Sequence, residues 1–137
     1  MSISNLEQLW KHLTEGGGIM RVEELRSYIQ NSFSIPTYSN EFYTQSENNC
    51  AMVRITPGAT ERQVNRLNIQ ILLRNESASQ AEVKAWEIYQ ALRIKTGFFI
   101  GSTYVIQCIA NQPLYIGKDE NGRTQYSVNC SLITDAN

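Results

Sequence analysis

The sequence predicts an α+β domain: a mainly antiparallel β-sheet with helices packed on it, closed by a C-terminal β-hairpin. Three observations carry this expectation. Between Pro113 and Thr134, two β-competent runs flank the turn Gly117-Lys118-Asp119-Glu120-Asn121-Gly122-Arg123, whose Asn-Gly pair tolerates the positive φ of tight turns. The stretches 66–74 and 126–132 alternate apolar and polar residues, as strands with one covered face do. Ala78, Ala81, Ala85, Ile88, Tyr89 and Leu92 fall within about 100° on a helical wheel, a stripe suited to lie across a sheet.

A chain of 137 residues is read as a single domain, residues 1–19 supplying an N-terminal helix and glycine hinge and residues 20–137 the core. That length buries roughly 68% of the unfolded surface without disulfides or metals. A net charge of -1 speaks against a dedicated nucleic-acid or membrane-surface binder, which would be strongly basic. Cys50, Cys108 and Cys130 are odd in number and far apart, so they read as reduced, buried residues of a cytosolic protein. The N-terminal residues lack a signal peptide's basic and apolar regions, and no run reaches the ~18 apolar residues of a membrane span.

Taken in order, Ser4 and Glu7 form a capping box before Leu6, Leu9, Trp10 and Leu13, which predicts a helix over 5–14 ended by Gly16-Gly17-Gly18. The glycines match no phosphate-loop pattern and read as a hinge. Val22, Leu25, Tyr28 and Ile29 share one face of a second helix over 21–31. The first helix either pairs with the second on the core or extends to a neighbour. Pro36 pushes Ile35 into an extended conformation, and the segment 38–49 suits a loop or irregular edge strand. Its Phe42 and Tyr43 are candidates for a protein interface or for local packing.

A short strand over 51–55, closed by Pro57-Gly58, precedes the longer strand 66–74, in which Leu67, Ile69, Ile71 and Leu73 form the buried face. Between 54 and 74, Arg54, Arg62, Arg66 and Arg74 stand against Glu61 alone, either as a solvated face or as a surface for an acidic partner. The main helix starts after Ser77 or Ser79, and Ser79 with Glu82 makes the better capping box. Trp86 lies about 60° outside the apolar stripe, as a flank of the core or an anchor for another subunit. Residues 98–110 read as one strand, with Tyr104, Ile106 and Cys108 on one face and Val105, Gln107 and Ile109 on the other, so the strand is either covered on both sides or met by a neighbouring chain. In the last strand Tyr126, Val128, Cys130 and Leu132 face the core, and Gln125, Ser127, Asn129 and Ser131 face water.

No catalytic constellation emerges, so the sequence reads as a non-enzyme without cofactor or metal. His12, the only histidine, has no cysteine at metal-ligand spacing. Asp119-Glu120-Asn121-Gly122 places its glycine fourth where a calcium loop needs it sixth, so it is a turn. Glu23 and Glu24 are adjacent and diverge by about 100° on a helix, poor geometry for paired acids.

The run Gln112-Pro113-Leu114-Tyr115-Ile116-Gly117-Lys118-Asp119-Glu120-Asn121-Gly122-Arg123, followed by Thr124-Gln125-Tyr126-Ser127-Val128-Asn129-Cys130, resembles the C-terminal hairpin of tailed-bacteriophage minor capsid proteins of the tail-terminator type. The element order from Arg21 onward is similar too, over about four fifths of the chain; the segment before Met20 departs from it. The resemblance implies a structural virion protein of the tail, assembled in the host cytoplasm. It further implies a homo-oligomeric ring, possibly a hexamer, that caps the tail tube, stops its polymerisation and receives the head connector. Phe42, Tyr43, Arg54, Arg66, Leu72, Arg74, Trp86 and Val105 are the candidate subunit or partner contacts, with DNA in the ring lumen a further neighbour for the arginines. A small cytosolic regulatory or ligand-binding domain is the alternative reading.

Overall fold

The computed structural model describes residues 19–136; the expected helix over 5–14, the Gly16-Gly17-Gly18 hinge and His12 lie outside them. The order is α1 (Val22–Phe33), β1 (Thr37–Ser39), β2 (Cys50–Glu61), β3 (Val64–Asn75), α2 (Ala78–Leu92), β4 (Ile94–Ile100), β5 (Thr103–Ala110), β6 (Leu114–Lys118) and β7 (Thr124–Asp135). The strands form one sheet in the order β1-β2-β3-β7-β5-β4, with β6 paired to β7 beside β5. Every pairing is antiparallel except the short β1–β2 contact. This is the predicted α+β architecture.

Both helices cover the same face. Leu25, Ile29 and Phe33 of α1 and Ala85, Ile88 and Leu92 of α2 join one core with Ala51, Val53, Ile69, Ile71, Leu73, Val128, Cys130 and Leu132. At its centre, Val53, Ile71 and Val128 stand side by side across β2, β3 and β7 and are fully buried. The small Ala81 and Ala85 let α2 approach closely, while Ala78 stays exposed in its first turn. Lys84 of α2 donates from Nζ to the Phe33 carbonyl at 2.6 Å, giving a cation to an oxygen that the C-terminus of α1 leaves unpaired.

Several boundaries differ from expectation, each for a local reason. The cap of α2 is Ser77, whose Oγ accepts the Gln80 N–H at 3.3 Å, rather than Ser79. Pro57-Gly58 does not end β2; the register slips between Pro57 and Thr60, and the hairpin turns later at Arg62 and Gln63, both with positive φ. The run 98–110 is two strands, because Gly101 (φ 57°) reverses the chain. Glu24 secures that turn: its Oε2 accepts from the Ser102 N–H at 2.6 Å and from Ser102 Oγ at 3.1 Å. A Cβ on Gly101 would lie 1.9 Å from the same oxygen.

Within β5, the register against β7 slips between Val105 and Gln107. One extra residue turns Val105 inward to join Cys108 and Ala110, so Val105, expected on the face opposite Cys108 and as a candidate subunit contact, is fully buried on the same side as Cys108. Ser127, expected to face water, is also buried. It lies on the face away from the helices but between Leu72 of β3 and Leu114 of β6, and it accepts from Gln70 Nε2 at 3.1 Å.

Burial therefore predicts a graded series along β7. Val128→Asp places an unpaired carboxylate at the centre of the core and should cost on the order of 4 kcal/mol or prevent folding. Ser127→Asp should cost about 2 kcal/mol, whereas Ser131→Asp, at an exposed position, should stay within roughly 0.5 kcal/mol. Urea titration of the three variants checks the order, and equal damage at Ser127 and Ser131 would refute the assignment of Ser127 as a covered position.

Candidate functional site

Among the described residues no group of three His, Cys, Asp or Glu could hold a metal ion, and no described helix is long and apolar enough to cross a membrane. The three cysteines are free and buried. Burial pushes the Cys50 thiol up, and the contact between Cys108 and Cys130 pushes Cys130 up, with burial adding to it, and Cys108 down. Thiols held protonated, as Cys50 and Cys130 are, make poor nucleophiles, and Cys108 is buried away from solvent. The sheet's outer face, opposite the helices, carries most of the candidate contact residues.

One corner of that face is covered by the loop between β1 and β2. Arg74, 6% exposed, is the pin. Its Nη2 donates to the carbonyls of Glu47 at 2.9 Å and Ser46 at 3.3 Å, and its guanidinium carbon lies 4.2 Å from the centre of the Phe42 ring. A cation under an aromatic ring and two carbonyls is a desolvated fastening. Arg54 Nε holds the loop's start through the Asn40 carbonyl at 3.1 Å. Tyr43 remains half exposed, edge-on to Tyr38 with ring centres 5.7 Å apart, and the Tyr38 hydroxyl donates to Glu47.

The C-terminal hairpin turn abuts this loop. Asp119 Oδ1 accepts the N–H groups of Asn121 and Arg123, each at 2.9 Å, and Oδ2 accepts Arg123 Nε at 2.7 Å. Arg123 Nη1 then reaches Asn48 Oδ1 at 3.1 Å. The turn residues that carry the sequence resemblance thus lock the hairpin and bind it to the loop. Desolvation alone would raise the Asp119 carboxyl, but the Arg123 and Asn121 hydrogen bonds and the Arg123 charge outweigh it and hold the group below its usual range.

The candidate contact residues divide between places. Phe42, Tyr43, Arg54 and Arg74 gather at the loop corner, with Leu72 half-buried near them on the outer face. Arg74, read as a candidate contact, is buried and its Nη2 is engaged within the chain. Val105 belongs to the core. Arg66 is exposed on the arm made by β2 and β3, beside a groove of about 410 Å³ that reaches Gln107, Ile109 and Ile133. Trp86 stands on the helical side, edge-on to Tyr89 at 5.3 Å.

Of the rest of the outer face, sequence reasoning marked Ile109 and missed its neighbours. Beyond the loop corner, Ile94, Phe99, Tyr104, Ile106 and Ile109 are exposed on β4 and β5. The available signal was that apolar residues occupy both parities of this stretch, while no acidic residue occurs from Arg93 to Lys118.

Two measurements test the corner. Arg74→Met removes the charge and its hydrogen bonds while keeping bulk, and should cost about 2 kcal/mol, with amide exchange accelerating across the loop and not in α2. For Asp119, whose folded-state carboxyl lies below the unfolded value, the stabilisation is complete above the unfolded pKa of about 3.9 and is lost as pH falls through the lower folded value. Asp119→Asn should therefore flatten part of the acid limb of the stability–pH curve below about pH 4. An unchanged acid limb would show that the carboxylate contributes nothing through ionisation.

Across residues 18–136, the chain matches a family model described as bacteriophage tail terminator protein. No curated protein matches the sequence.

Proposed function

The chain belongs to the bacteriophage tail terminator family, and from that premise we propose that it closes the growing tail as a homo-oligomeric ring, possibly a hexamer. The ring caps the tail tube, stops its polymerisation and presents the surface that the head connector joins. Membership implies a structural role in the phage tail, interaction with other virion proteins and oligomerisation. The ring, its partners and assembly in the host cytoplasm are our reading.

The observation that carries it is the two-sidedness of the sheet. Helices cover one face, while much of the other is left to large apolar side chains. A monomer that remained alone would gain little from such a surface, whereas a subunit that must join others needs one. Head-to-tail contacts whose rotation closes give a finite ring, and a finite ring ends a tube where an open contact would extend it. The work is surface complementarity, without catalysis.

Tail-tube protein polymerised with and without this chain supplies the test. Electron microscopy should show tubes carrying a cap at one end and of arrested length, and light scattering should show a closed oligomer at that cap. Tubes that grow equally long in both conditions, with the protein absent from their ends, would sink the proposal.

A further inference from the structure

We infer that residues 5–14 of this chain seat their apolar stripe on the helical face of the β2–β3 arm, beyond the N-terminus of α1, as a third helix in the layer that covers that side of the sheet. The arm is then a docking surface for the chain's own N-terminal segment, whatever the protein does in a tail.

The described helical layer ends before the sheet does. α1 begins at Val22, and the chain enters it from Ile19, which is 59% exposed, and Met20, which is buried in the core. Past that entry β2 and β3 continue, and their helix-facing side chains emerge step by step. Ile69 is buried, its partner Ile55 and the next residue on that face, Leu67, are half-buried, and Pro57, paired with Leu67, is exposed. Ile19, Met20, Ile55, Pro57 and Leu67 line a groove of about 210 Å³. Small-molecule sites begin near about 300 Å³, so a groove of this size suits one or two large side chains better than a ligand.

The chain ahead of Ile19 supplies the occupant. Leu6, Leu9, Trp10 and Leu13 recur at i, i+3, i+4 and i+7, a stripe about 100° wide, and Glu7, Gln8, Lys11, His12 and Thr14 fall outside it. A helix over residues 5–14 would be about 15 Å long and too short to persist in water without an apolar seat. The arm is long enough to give one, because β2 rises about 20 Å from Ile55 to Glu61 at ~3.3 Å per residue. The tether selects this seat over others. From Thr14 to Ile19 the chain spans at most about 18 Å, and Gly16-Gly17-Gly18 lets it reverse without a Cβ clash, which returns the stripe to the groove that Ile19 itself borders. The exposed apolar residues of β4 and β5 lie on the opposite face, so a segment tethered beside the core residue Met20 would have to pass around the edge of the sheet to reach them.

Trp10 reports on the seat in the full-length chain. Trp86→Phe leaves it as the sole tryptophan; its emission should be blue-shifted, and acrylamide should quench it far less than in the same protein unfolded in urea. Pro57→Asp puts a carboxylate into the groove at an exposed position, and Leu9→Asp puts one on the stripe, outside the described core. Either, added to Trp86→Phe, should shift the emission to the red and raise quenching to the unfolded level while cooperative thermal unfolding is retained. Ile109→Asp, on the opposite face, should leave Trp10 protected. A Trp10 already as quenchable as in the unfolded chain, protection that survives Leu9→Asp or a folded Pro57→Asp variant, or protection lost with Ile109→Asp overturns the inference. A mixture separates the chain's own segment from a second copy's: the Trp86→Phe, Pro57→Asp variant is combined with an excess of a chain carrying Trp10→Phe, Trp86→Phe and Leu9→Asp, whose groove is open. Trp10 should stay quenchable, and protection regained in the mixture would seat the segment on another copy and overturn the assignment to its own chain.

Discussion

The ladder between β3 and β7, paired without interruption from Val64 with Asp135 to Asn75 with Thr124, is the constraint on which the rest depends. Side chains alternate across a strand, so this register sends Ile69, Ile71 and Leu73 to the helical face together with Val128, Cys130 and Leu132. A slip of one residue would bring Asn68, Gln70, Asn129 and Ser131 under α2 and turn the apolar residues to solvent. Both helices, the β2–β3 arm and the C-terminal hairpin are attached to these two strands or their immediate neighbours.

From that division follows an asymmetry in how the outer face is finished. The chain covers one corner itself, at the cost of burying an arginine whose Nη2 meets two carbonyls and whose guanidinium meets an aromatic ring, while among the described residues its buried Nε finds no hydrogen-bond partner. It then fastens the hairpin turn to the same corner through Arg123 and Asn48. The β4–β5 end receives no such cover from the described residues. Bulges sharpen the contrast, because the slip in β5 moves Val105 inward while leaving Ile106 and Ile109 outside. For a protein of the tail terminator family, whose role is to join other chains, a surface completed at one end and bare at the other is physically coherent.

Local chemistry made much of the fold legible. Period-2 alternation marked β3 and β7, period-3.6 spacing marked α1 and α2, and Asn121-Gly122 marked the final turn, because each depends on residues close in sequence. The turn also carried the family resemblance, since Asp119 and Arg123 form a pair within the turn itself. Departures arose where a distant partner decided. Gly101 breaks the run 98–110 into two strands, and Glu24, far away on α1, holds the break. Ser127 alternates like a solvent-facing residue yet is covered, because Leu72 and Leu114 flank it from neighbouring strands.

By itself, the sequence determined the α+β class, the core face of β3 and β7, the hairpin and the family, all of which rest on spacings of a few residues. Only the tertiary structure decided which polar residues are spent internally and which apolar ones are left outside. Arg74 and Arg66 look alike in the chain, and packing makes one a buried pin and the other an exposed rim residue. Val105 and Ile109 share a parity, and a single bulge separates core from surface between them. Burial is a property of what strands bring together across the sheet, so no reading of neighbours along the chain could supply it.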